Sequence, residues 1–121
     1  MLDPKGRVIL VSGAGRGIGR AVAETLYADG YSLSLGVRDP AALEAALGGW
    51  ERRRLHVGRY DAADWASHRL WVETAAARFG RIDGLVNNAG RFSRMTLRDP
   101  DEKELDALWA VNCKGPLNLI H

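Results

Sequence analysis

This chain of 121 residues is short of several things, and each shortage excludes a class of protein. It has one cysteine, Cys113, so no disulfide can close within it. No stretch approaches the ~18 consecutive apolar residues of a membrane span. The residues after Met1, Leu-Asp-Pro-Lys-Gly, form no apolar signal core. A soluble, cytoplasmic protein without a membrane partner is the expectation. An excess of one charge is lacking too: seventeen basic and fifteen acidic residues are interspersed and leave a net charge of +2. The pI is about 9.0, yet the longest basic run, Arg52-Arg53-Arg54, reads as a solvated helix end. A nucleic-acid partner is not expected, because salt-sensitive phosphate binding needs clustered rather than scattered charge. Repeats, linkers and low-complexity segments are missing as well. With 46% hydrophobic and 26% charged residues, positions 1–121 are expected to form one packed domain or part of one.

What remains is an alternation of short apolar runs and helical patterns. Val8-Ile9-Leu10-Val11, between charged residues and a glycine cluster, reads as a strand buried on both faces. Ile18, Val22, Thr25 and Leu26 recur at helical spacing, with Gly30 as a C-terminal stop. Leu33, Leu35 and Val37 alternate with Ser32, Ser34 and Gly36 as a second strand, and Asp39-Pro40 opens a helix through Glu44 and Leu47. Leu55, Val57 and Tyr60 mark a third strand. A third helix runs from an Asp64 cap to Gly80 with Trp65, Val72 and Phe79 on one face. Ile82 to Val86 is a fourth strand, and a last helix begins near Asp99-Pro100 with Leu105, Leu108 and Trp109 on one side. This order predicts an α/β fold, a Rossmann-type doubly wound parallel sheet, truncated after about four strands. In such sheets ligands bind beyond the carboxyl ends of the strands, where the strand order reverses.

The first of those ends carries Ser12-Gly13-Ala14-Gly15-Arg16-Gly17-Ile18-Gly19, with a strand before it and a helix after it. Glycines permit positive φ and let the backbone approach a pyrophosphate, while the amides at the helix start favour its charge. The spacing G-x-x-x-G-x-G fits at Gly13, Gly17 and Gly19, whereas G-x-G-x-x-G begun at Gly13 puts Ile18 in the last position. No lysine follows to make the phosphate loop of a nucleotide hydrolase. A tight structural turn is the plain alternative.

After strand two, Gly36-Val37-Arg38-Asp39 separates two cofactors. An acid here would accept bonds from a ribose and repel the 2′-phosphate of NADP, whereas Arg38, with Arg16 from the turn, could pair with that phosphate. Asp39 is read as the cap of the Pro40 helix, which leaves NADP favoured over NAD. Asp61, after strand three, is placed to accept from an adenine amino group and equally to cap a turn. After strand four, Asn87-Asn88-Ala89-Gly90 pairs amides able to tie adjacent strands with two very small residues.

With these residues together, the chain resembles the N-terminal part of a short-chain dehydrogenase/reductase over essentially its whole length. The family's T-G-x-x-x-G-x-G turn appears with Ser12 for threonine, its N-N-A-G at Asn87 to Gly90, and its helical asparagine at Asn112. The resemblance implies Asp61 and Ala62 at the adenine, Asn88, Ala89 and Gly90 beside the inner ribose, and Arg38 at the 2′-phosphate. It implies that Asn112 helps position a water in the proton relay. Physically, Asn112 lies four residues after Leu108 on an apolar side, and Pro116 cannot bond its carbonyl, so a kinked helix should leave that carbonyl free. A satisfied buried amide is the structural alternative.

The same resemblance requires a serine, a tyrosine and a lysine four residues after that tyrosine. Residues four after Tyr27, Tyr31 and Tyr60 are Tyr31, Leu35 and Asp64, so no such pair is present and the chain alone is expected to be inactive. His56, His68, His121 and Cys113 lack metal-ligand spacing, so no metal is expected, and Ser12 and Ser93 lack an evident activating base. The expected activity is hydride transfer between NADP and a small-molecule carbonyl or secondary alcohol, in a complete protein that the family makes a homo-oligomer. The alternative is a catalytically silent nucleotide-binding or interaction module. A fourth strand left as an open apolar edge would favour association.

Overall fold

A computed structural model describes residues 4–88 of the chain. Four strands, β1 (Val8–Ser12), β2 (Ser32–Val37), β3 (Leu55–Arg59) and β4 (Gly84–Val86), alternate with helices α1 (Gly17–Ala28), α2 (Pro40–Ala46) and α3 (Trp65–Phe79). A short 3-10 turn, Arg52–Arg54, leads into β3. All pairings are parallel, in the order β3-β2-β1-β4. The chain therefore steps one way from β1 to β3 and then crosses back to β4. Because such crossovers are right-handed, α1 and α2 cover one face of the sheet and α3 the other.

The two faces are built differently. On the first, Val11, Leu33, Leu35 and Val37 from the strands meet Ala23 of α1 and Leu43 and Leu47 at α2. Burying each such aliphatic side chain contributes roughly 1.5–3 kcal/mol. On the second, Val8 and Leu10 meet Tyr60, Trp71 and Ala75. Trp71 lies across Gly36 and Gly58, where an added Cβ would come within 2.8 Å and 2.6 Å of its ring. Its indole N–H donates to Ser34 Oγ at 2.9 Å, and that hydroxyl lies 2.7 Å from His56 Nδ1. The small and polar positions of β2 thus make the bed of a buried tryptophan.

Local signals place the helix ends. Asp39 accepts from Ala42 N at 3.3 Å with Pro40 in the first turn, and Asp64 accepts from Ala66 N at 3.2 Å. Tyr31 N and Gly30 N return to Leu26 O and Tyr27 O, closing α1 in the paired-bond pattern common at helix ends.

Four readings need correction. Trp65 is 53% exposed; α3 instead buries Ser67, His68, Trp71 and Ala75, three and four residues apart on one helix face, with Val72 and Phe79 at the margin. In α1 the buried positions are Gly19 and Ala23, while Ile18 and Thr25 are exposed, since the helix lies too close to the sheet for larger residues. Strand four begins at Gly84: Asp83 closes the sheet's amino end through its side chain, Oδ2 accepting from Val8 N at 2.8 Å. Arg81 beside it holds the Asp83 carboxyl below its usual range. Arg54 is no solvated end, for its guanidinium lies 4.1 Å over the Tyr27 ring and donates to Tyr31 O.

His56 is half-buried, and burial, with Arg78 nearby, pushes its pKa below the usual imidazole value. The unfolded chain then binds more protons than the native one, so stability is complete above about pH 6.5 and falls as pH drops through the native value. Urea unfolding between pH 8 and 5 should show this slope, reduced in His56→Gln. Truncating Trp71 to alanine should cost about 3–5 kcal/mol in the same measurement.

Candidate functional site

The carboxyl ends of β1 and β4 lie side by side where the strand order reverses, and side chains lace them together. Ser12, fully buried, receives Asn88 N on its Oγ at 3.0 Å, and Asn88 Nδ2 donates to Gly13 O at 3.2 Å. Gly13 N donates to Gly36 O at 2.9 Å, so the turn stays anchored to β2 as it leaves the sheet. Gly13 and Gly17 have φ of +68° and +61°, the left-handed region that glycine adopts without strain. Gly19 faces inward from α1, and a Cβ there would overlap both Gly13 O and Asn88 Nδ2.

The helix that begins at Gly17 has no side-chain cap. Arg16 is its N-cap in extended backbone, and no acidic residue lies in its first turn. A basic N-cap opposes the helix dipole, and an anion seated there would satisfy the free amides and the arginine together. Ile18, 76% exposed, stands at the same mouth.

Arg38 is exposed at the end of β2, and neither it nor Arg16 makes a side-chain hydrogen bond or ion pair among the described residues. The neighbouring Asp39 is engaged as the α2 cap. After β3, Asp61 Oδ1 accepts from Ala63 N at 3.0 Å, so this carboxylate does cap a turn. Two residues that sequence reasoning missed set the backbone here. Ser67 Oγ accepts from Asp61 N at 2.9 Å, and the buried His68 places Nε2 3.1 Å from both Asp61 O and Ala62 O. Carbonyls only accept, so Nε2 carries the proton. The available signal was their position, three and four residues after the Asp64 cap. Tyr60, beneath, has its pKa pushed up to about 12 by burial and by Asp61.

The structure thus brings Gly13, Arg16, Gly17, Ile18, Gly19 and Asn88 to one strand junction, with Arg38 at the end of β2 and Asp61 and Ala62 at the end of β3. Ala89, Gly90 and Asn112 lie outside the described residues. Among the described residues no cluster of metal-ligating side chains occurs and no helix is long and apolar enough to cross a membrane.

A family model described as short chain dehydrogenase matches residues 7–121. An agropine synthesis reductase of Rhizobium rhizogenes is 47% identical over 113 residues, covering 93% of this chain and 26% of that protein. Among solved structures, a glucose/ribitol dehydrogenase of the short-chain dehydrogenase/reductase type from Brucella melitensis superposes with a TM-score of 0.92 at 28% identity, over 98% of this chain and 51% of that one. A 3-ketoacyl-(acyl-carrier-protein) reductase from Brucella melitensis, complexed with NADH, gives a TM-score of 0.85 at 27% identity, over 95% of this chain and 48% of that one. The chain spans about half the length of these structures and a quarter of the reductase.

Alanine in a helix interior normally gains about 1 kcal/mol over glycine. At Gly19 the sign should reverse: Gly19→Ala is expected to lose about 1–3 kcal/mol, because its methyl meets backbone that cannot rotate away. Denaturant midpoints of the two proteins decide between these signs.

Proposed function

The chain belongs to the short-chain dehydrogenase family, a family of oxidoreductases, and on that premise we propose that it is the cofactor-holding part of an NADP-dependent enzyme. The observation that carries the cofactor choice is the division of labour at the end of β2. Asp39, the acid that could serve a ribose, is engaged by the α2 amide of Ala42, and Arg38 beside it is exposed and unpaired among the described residues. A 2′-phosphate would meet a guanidinium fork there in place of a repelling carboxylate.

The residues fit such a cofactor on their own geometry. Gly19 lets α1 start against the carbonyl of Gly13, which itself takes a positive φ, and the uncapped amides after Arg16 suit a pyrophosphate. Asp61 and Ala62, fixed from below by Ser67 and His68, would flank the adenine. Asn88, Ala89 and Gly90 would pass along the inner ribose. When bound, the nicotinamide accepts or delivers a hydride. This chain's part is to bind and orient the dinucleotide, with Asn112 proposed to hold a water of the proton path. The substrate class is a small carbonyl compound or secondary alcohol, and a cytoplasmic homo-oligomer is part of the same proposal, as the family implies. Without a Tyr-x-x-x-Lys pair, the 121 residues alone should bind cofactor without turning over substrate.

Calorimetric titration of the folded chain with NADPH and NADH tests the reading. NADPH is expected to bind tighter, and Arg38→Ala should erase roughly 10- to 100-fold of that preference while leaving NADH unchanged. Equal affinities in the wild type would overturn the NADP assignment; no binding of either nucleotide would overturn the cofactor role.

A further inference from the structure

A cavity of about 310 Å³ lies at the opposite end of the sheet from the glycine turn. It opens beside the amino end of the edge strand β3, between the end of α2, the Arg52–Arg54 turn and the last turn of α3. Its walls include Glu44, Leu47, Trp50, Arg52, His56 and Arg78. None of the residues read above as cofactor-binding lines it.

The hydrogen-bond chain under Trp71 decides what His56 presents there. An indole N–H can only donate, so Ser34 Oγ accepts from Trp71 and has its single hydrogen available for His56 Nδ1. With that hydrogen given to Nδ1, a neutral imidazole carries its own proton on Nε2. Its Cε1 lies 3.3 Å from where a Gly58 Cβ would stand, and His56 is among the residues that line the cavity. That N–H has no acceptor among the described residues. Arg78 adds positive charge: one of its nitrogens donates to Arg52 O, which holds the guanidinium at the wall with other N–H groups left over. Arg78 acts on the imidazole more strongly than Glu44 does in the opposite sense, so the net field of these two at the ring is positive. Trp50 stacks on Tyr27 with ring centroids 4.1 Å apart, giving a stiff apolar wall.

We propose that this cavity binds a small oxyanion-bearing ligand, a phosphate or a carboxylate, gripped by the Nε2–H of His56 and the guanidinium of Arg78 against Trp50 and Leu47. It is independent of the nucleotide site, with the length of the strands between them.

Nitrogen-15 NMR of the His56 ring in the full 121-residue chain, titrated with inorganic phosphate and separately with acetate, tests the site. A saturable shift at Nε2 is expected, with the tighter of the two anions identifying the source. Arg78→Gln should weaken it roughly tenfold, the worth of a charge-assisted bond. Glu44→Gln should tighten it, a gain that misfolding cannot produce. The proposal is overturned by a His56 shift that does not saturate, by equal affinities in the wild type and both variants, or by loss of the shift in the Arg16→Ala/Arg38→Ala double variant, which would place the anion at the glycine turn.

Discussion

Where α1 leaves the glycine turn, its backbone runs against the carbonyl of Gly13 with no room for a side chain at Gly19. Much of the rest depends on that closeness. It brings the uncapped first turn of the helix to the point where β1 and β4 diverge, and it lets Asn88 reach Gly13 O from the neighbouring strand. It also explains why α1 turns glycine and alanine rather than its larger apolar residues toward the sheet. Ile18, displaced from the core by the same constraint, is left at the mouth of the site.

The second face answers to a different demand, the bulk of one buried indole. Trp71 needs two glycines beneath it and a hydroxyl for its N–H, and β2 and β3 supply Gly36, Gly58 and Ser34. A buried N–H left without an acceptor would cost about 1–3 kcal/mol, so Ser34 is as much a packing residue as a polar one. Its hydroxyl also meets Nδ1 of His56, and so ties one edge of the imidazole to the sheet. Packing at the middle of the sheet is thereby joined to a cavity at its rim, which His56 also lines.

Charge follows the same economy of position. Asp39 and Arg38 are adjacent, yet one is drawn into a helix cap and the other left in solvent, because a carboxylate can accept from the amides at a helix start and a guanidinium, which only donates, cannot bond to them. Asp83 does the corresponding work at the amino ends, standing in for a ladder bond to Val8. Asp39, Asp61 and Asp64 close turns and helix starts. Arg16 and Arg38, exposed near the carboxyl ends of β1 and β2, make no side-chain bond among the described residues.

How much could be read beforehand divides along physical lines. The strands, their order of succession, the caps at Asp39 and Asp64, the stop at Gly30 and the glycine turn were legible, because periodicity, capping and glycine conformations act over a few residues. The apolar faces of α1 and α3 were misread, since which stripe is buried depends on how closely each helix approaches the sheet. The pairing of Trp71 with Ser34, of Ser34 with His56, and of Asn88 with Gly13 joins residues 37, 22 and 75 positions apart. No local pattern announces such partners. Local order along the chain sets the elements and the residue types that stand at the strand ends; which of those groups are engaged and which stay open depends on the folded arrangement, because hydrogen-bond partners and steric room come from neighbours that folding alone brings together.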